Sequence, residues 1–102
     1  MTAHELKVHV SDPGNKYRRL DPVLLKPTRS TLGREWDVYY RDELVGTIRR
    51  RRYTPHTTHP GTRIRKDLAP RIVWDGYSMA KKAESTRHER RNDALFFIIK
   101  EL

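Results

Sequence analysis

No cysteine occurs among the 102 residues. That excludes disulfide bonds and cysteine-ligated zinc, and it agrees with a reducing compartment. Long apolar runs are missing too. The longest, Ala94 to Ile99, is far too short to span a bilayer. The opening Met-Thr-Ala-His-Glu-Leu-Lys-Val-His-Val lacks the apolar stretch of a secretory signal. A soluble, cytoplasmic protein without a membrane partner is expected. There is no glycine-rich phosphate loop, no Ser-His-Asp pattern and no carboxylate pair beside a plausible pocket. No catalytic residue and no cofactor is therefore assigned.

Positive charge is plentiful. Lysine and arginine number 22 against 13 aspartates and glutamates, a formal net charge of +9 and a pI near 10.3. That exceeds what solubility requires. The excess is uneven: nine basic residues between Arg41 and Arg71 face Asp42, Glu43 and Asp67, a net of +6 in a third of the chain. Charge concentrated in this way is the footprint of a nucleic-acid binder.

Its centre is the run Arg49-Arg50-Arg51-Arg52. The preceding Leu44-Val45-Gly46-Thr47-Ile48 alternates as a strand does, and side chains alternate faces along a strand. Arginines therefore point both ways, and an unpaired guanidinium cannot rest on a hydrophobic core. The strand is expected to run off its core and project a cationic ribbon. Such a ribbon suits a phosphate backbone or a DNA groove. Replacing all four arginines is expected to leave stability nearly unchanged. The competing roles are a solvated edge that resists strand pairing and a surface for an acidic protein.

Around this run the chain reads as one domain, 1–102, with a less defined amino-terminal extension over 1–34 and a sheet-plus-helix core over 35–102. Glu5 to Val10 alternates as a short strand, closed by the turn residues Ser11-Asp12-Pro13-Gly14-Asn15. Residues 16–33 give no clear signal, although Val23-Leu24-Leu25 suits a short strand or a single turn at the edge of the core. Glu35 to Arg41 is a strand with Trp36, Val38 and Tyr40 on one face, joined by a tight turn at Arg41-Asp42-Glu43 to Leu44–Ile48. Thr54 to Gly61, with two prolines and a glycine, reads as a loop. Thr62 to Lys66 is a candidate strand pairing with the arginine ribbon, and Arg71 to Asp75 another, closed by Gly76. Thr86-Arg87-His88-Glu89 fits a capping box opening a helix. Leu95, Ile98, Ile99 and Leu102 form its stripe, with Ala94 beside it, facing the sheet surface that bears Trp36 and Ile48. Phe96 and Phe97 cannot both share that stripe, which leaves one for a partner surface.

The fold expected is α+β: an antiparallel sheet of three or more strands, covered on one face by a carboxy-terminal helix, with a projecting basic hairpin arm. Trp36, Val38, Gly46, Ile48, Trp74, Thr86, Arg87, Glu89, Ala94 and Leu95, in that order, form a pattern that resembles small uncharacterised proteins of actinobacterial phages. More loosely, three strands plus a helix is similar to the arm-binding domain of phage integrases. What the resemblance implies is a phage or mobile-element origin and a location in the host cell. The integrase likeness implies a sheet that enters the DNA major groove.

His56-Thr57-Thr58-His59 has too few ligands for zinc, so no metal site is expected. His56, His59, Arg63 and Lys66 are the residue types of a ribonuclease, and equally of plain phosphate contacts. Tyr39 and Tyr53 could stack bases if they share the open face. The expected function is thus non-enzymatic binding of nucleic acid, with DNA favoured, through Arg41, Arg49, Arg50, Arg51, Arg52, Tyr53, Arg63, Arg65, Lys66 and Arg71. The alternatives are a module that binds a host or virion protein, and a small basic ribonuclease-like toxin.

Overall fold

The computed structural model describes residues 5–28, 34–54, 56–58, 65–67 and 69–102, with backbone alone at 56–58 and 65–67. The elements are β1 (Leu6–Val8), β2 (Val23–Pro27), β3 (Glu35–Tyr40), β4 (Glu43–Tyr53), β5 (His56–Thr58), β6 (Arg65–Asp67), β7 (Arg71–Ser78), β8 (Ala83–His88) and α1 (Arg91–Ile99). Six strands make one antiparallel sheet in the order β1-β2-β3-β4-β7-β8, and β5 pairs with β6 in a separate ribbon. With α1 packed on one face, the protein is α+β.

Alternation of apolar residues decides which face is covered. Val8, Val23, Leu25, Val38, Tyr40 and Ile48 are buried on the helix side, together with Ala94, Leu95, Ile98 and Ile99 of α1. The register keeps them in one layer: Val8 opposes Val23, Leu25 opposes Val38, and Trp36 opposes Ile48. Leu6–Val8 and Val23–Pro27, both before residue 35, are thus built into the sheet, and Val23-Leu24-Leu25 is part of a strand. A two-residue turn joins β3 to β4, with φ of 51° at Arg41 and 65° at Asp42. Two left-handed residues match the twist of a hairpin.

Gly76 lies inside β7 and does not end it. A β-carbon there would stand 2.8 Å from the carbonyl oxygen of Ala94. The glycine lets helix and sheet approach closely, and the strand continues to Ser78. At Gly46 on β4 a β-carbon would meet the Tyr77 carbonyl oxygen of the neighbouring strand and stand 3.1 Å from the Ile98 side chain of the helix.

Several expectations are corrected here. Thr86, Arg87 and His88 belong to the edge strand β8, so no capping box opens the helix. The N-cap is Arg90, in extended conformation and without a side-chain cap, with Asp93 in the first turn. Helix and strand compete for 86–88, and the backbone of Arg87 is held by a tertiary partner, described below. α1 ends at Ile99, so Leu102 leaves the stripe and is exposed. His56–Thr58 is a strand where a loop was expected. Its partner is Arg65–Asp67, while the arginine run pairs with β7 instead. Thr62, Arg63 and Ile64, and the rest of the expected arm tip, lie outside the described residues. Among the described residues no helix is long and apolar enough to cross a membrane.

Candidate nucleic-acid interface

β4 is eleven residues long and pairs with β7 down to Tyr53 opposite Arg71. Its four arginines divide by parity. Arg49, Arg51 and Tyr53 fall on the face that α1 does not cover. Arg50 and Arg52 fall on the helix side. There the Trp36 and Trp74 rings meet across β4 with centroids 5.8 Å apart.

On the uncovered face the arginines are consumed locally. Asp75 is buried, only 3 % exposed. Its Oδ2 accepts from Arg51 Nε at 2.5 Å and from Arg49 Nη2 at 3.1 Å, and its Oδ1 accepts from the backbone N–H of Arg87 at 3.0 Å. Burial pushes the Asp75 carboxyl up. The hydrogen bond from Arg51, then the Arg87 amide and Arg49, outweigh that and hold it below the ordinary carboxylate value. The same hydrogen bond raises Arg51 above the usual guanidinium value. The sequence makes this arrangement possible with an irregularity between Trp74 and Gly76 in the β7–β8 register and a left-handed Arg87, φ 62°. The extra residue turns the Arg87 amide inward.

Tyr53 completes this side. The guanidinium carbons of Arg51 and Arg87 stand 5.7 and 5.0 Å from its ring centroid, cation–π distances. Arg71 Nη1 donates to Glu89 Oε1 at 2.9 Å. Val73 is buried on the face that α1 does not cover, where it lines a depression with Tyr53, Arg71, Arg87 and Glu89.

The helix side differs. Arg50 and Arg52 are exposed, and among the described residues neither has a carboxylate partner. Arg34, also exposed and unpaired there, is fixed beside them because its carbonyl accepts the Arg50 N–H at 2.8 Å. Arg91, the first residue of α1, lies with its guanidinium carbon 6.0 Å from the Trp74 ring centroid. Arg34, Arg49, Arg50, Arg51 and Arg52 line a shallow groove of about 440 Å³. Arginine is the side chain whose charged, forked donors suit carboxylates and phosphates.

The sequence-derived candidates are thus only partly gathered together. Arg50, Arg52, Arg51, Arg49, Tyr53 and Arg71 share the distal half of β4–β7. Arg41 does not. It sits in the β3–β4 turn, roughly 30 Å along β4 from Tyr53, where its Nε donates to Asp21 at 2.8 Å and its guanidinium lies over Tyr40. That hydrogen bond raises its pKa. Tyr39 and Tyr53 do share the uncovered face, but near opposite ends of it, and Lys26 covers the Tyr39 ring at 4.4 Å. Arg65 and Lys66 lie on β6 next to Asp67, backbone alone being described, and Arg63 and His59 are outside the described residues. Among the described residues no group of three or more His, Asp or Glu could hold a metal ion.

Sequence reasoning missed Arg34, Arg91, Arg87 and, above all, Asp75. One signal for Asp75 was present: a carboxylate embedded in Ile72-Val73-Trp74-Asp75, at a strand position too apolar to be solvated. No protein-family model, curated protein or solved structure matches this chain.

Proposed function

We propose that this chain is a non-enzymatic nucleic-acid-binding protein of a phage or mobile element. It acts in the host cytoplasm, docks through the basic strand pair β4–β7, and takes DNA before RNA. The observation that carries this reading is the asymmetry of the arginine run. Arg49 and Arg51 hold the fold together around Asp75, whereas Arg50, Arg52 and Arg34, which share a groove with them, are exposed and have no carboxylate partner among the described residues. Like charges held side by side repel one another even when solvated, and such a cluster is relieved by phosphates. Binding would release counterions from the nucleic acid, with Arg34, Arg50, Arg52 and Arg91 on the backbone and Arg65 and Lys66 adding to them.

The two other readings draw less support. A protein-binding module could use the same arginines, but Phe96 and Phe97 are half-buried and pack on the core. The ribonuclease reading needs at least one of His56 and His59, whose side chains lie outside the described residues.

The test is the salt dependence of duplex binding. Four to six phosphate contacts give a slope of roughly −4 to −5 in log affinity against log salt. Absence of binding in low salt, alongside capture of an acidic protein, would move the reading to the protein-partner alternative.

A further inference from the structure

We propose that Ile72 reads the 5-methyl group of thymine in the major groove of duplex DNA. This rests on the nucleic-acid reading and assigns that surface a base-recognition function.

Beyond Arg50 and Trp74 the sheet narrows. The last β3 contact to β4 is the Arg50 N–H to the Arg34 carbonyl, and the last β8 pairing is His88 with Trp74. Among the described residues two strands remain, from Arg51 opposite Val73 to Tyr53 opposite Arg71. A two-stranded ribbon fits a major groove of about 12 Å, where each base pair presents a distinct pattern of edges.

Ile72 sits on this ribbon, on the same face as Arg50 and Arg52. It is 51 % exposed and directly opposite Arg52. With Arg34, Arg50, Arg51 and Arg52 it lines a depression of about 190 Å³. Single exposed apolar residues are commonplace and need no explanation. The setting of Ile72 is what distinguishes it: an exposed aliphatic, β-branched side chain in a depression whose other lining residues are all arginines. Phosphate and sugar offer it nothing. In the major groove, guanine O6 and N7 are acceptors suited to arginine, and the thymine methyl is the apolar group. Arg50 and Arg52 beside Ile72 therefore match guanine and thymine edges together. The same contact disfavours RNA, whose uracil lacks the methyl and whose A-form major groove is too narrow for side chains to read.

The experiment compares alternating poly(dA-dT) with alternating poly(dA-dU), duplexes that differ by that methyl, in low salt, for the wild type and Ile72→Ala. The wild type should bind the thymine duplex roughly two- to fivefold more tightly, the worth of one buried methyl. I72A should bind both duplexes equally, at about the wild-type affinity for the uracil duplex, and should melt like the wild type. Equal wild-type affinity for the two duplexes would overturn the methyl contact while leaving salt-dependent docking intact. Discrimination that survives in I72A would overturn it as well, since the methyl would be read elsewhere. No binding of either duplex would sink the docking and the contact together.

Discussion

Arg51 reaches diagonally across the sheet and places its Nε 2.5 Å from the buried Oδ2 of Asp75. This contact converts half of an arginine run into structure. The side chain of Arg51 is itself only 32 % exposed, so the pair is shielded from the screening that weakens surface ion pairs. Uniform replacement of the run therefore cannot be neutral for stability, contrary to the expectation from sequence.

The two parities should separate in mutagenesis. Arg49→Ala with Arg51→Ala leaves a buried carboxylate with one backbone amide, and should cost about 3–5 kcal/mol in denaturant unfolding. Arg50→Ala with Arg52→Ala should stay within about 0.5 kcal/mol of the wild type. The second pair, not the first, should flatten the salt dependence of duplex binding at matched folded fractions, by roughly 0.9 in slope per lost contact.

Acid should test the same carboxylate. Asp75 ionises below its ordinary value of 3.8 in the folded protein, so the unfolded chain takes up the proton first. The stabilisation is then fully present above the unfolded pKa and is lost as pH falls through the lower, folded one. Melting curves should fall off below about pH 4, and Asp75→Asn should remove that part of the acid dependence while lowering stability at neutral pH. An Asp75→Asn variant with an unaltered acid limb would locate the effect in other carboxylates.

The helix–sheet contact should tolerate no added volume. Gly76→Ala would force a β-carbon against the Ala94 carbonyl, which is backbone and cannot rotate away. A loss of about 1–3 kcal/mol is expected. Leu95→Ala, at a fully buried position, should cost about 2–5 kcal/mol. Thermal denaturation measures both.

Binding should proceed without a titrating histidine. His56→Ala with His59→Ala should leave duplex affinity within a few-fold at neutral pH, and neither protein should cleave single-stranded RNA over hours. Cleavage with a bell-shaped pH profile, lost in the double variant, would promote the ribonuclease reading.

Much of the centre of the fold was legible. Trp36, Val38 and Tyr40 alternate cleanly, and Ala94, Leu95, Ile98 and Ile99 repeat with a helical period, because those residues bury one face each. β8 was not legible. Ala83 to His88 is an edge strand with no buried side chain, so nothing in its pattern opposed a helix start. The position of Arg87 is set by Asp75, twelve residues earlier, and local propensity carries no trace of such a partner. The candidate interface was half legible for the same reason. Charge density located the arginines, but only the opposite strand decides which of them are free.

That division makes the spacing of β4 a form of punctuation. Ile48 and Gly46 fix the phase of the strand against the helix, and Arg49 begins the count after them. A single residue inserted between Ile48 and Arg49 would exchange odd for even, since a one-residue slip moves every later side chain to the other face. Composition and net charge would barely change, yet the arginines now facing outward would be turned onto the carboxylate and their neighbours released. Homologous strands should therefore vary in which basic residue they use far more readily than in the length that separates it from the core.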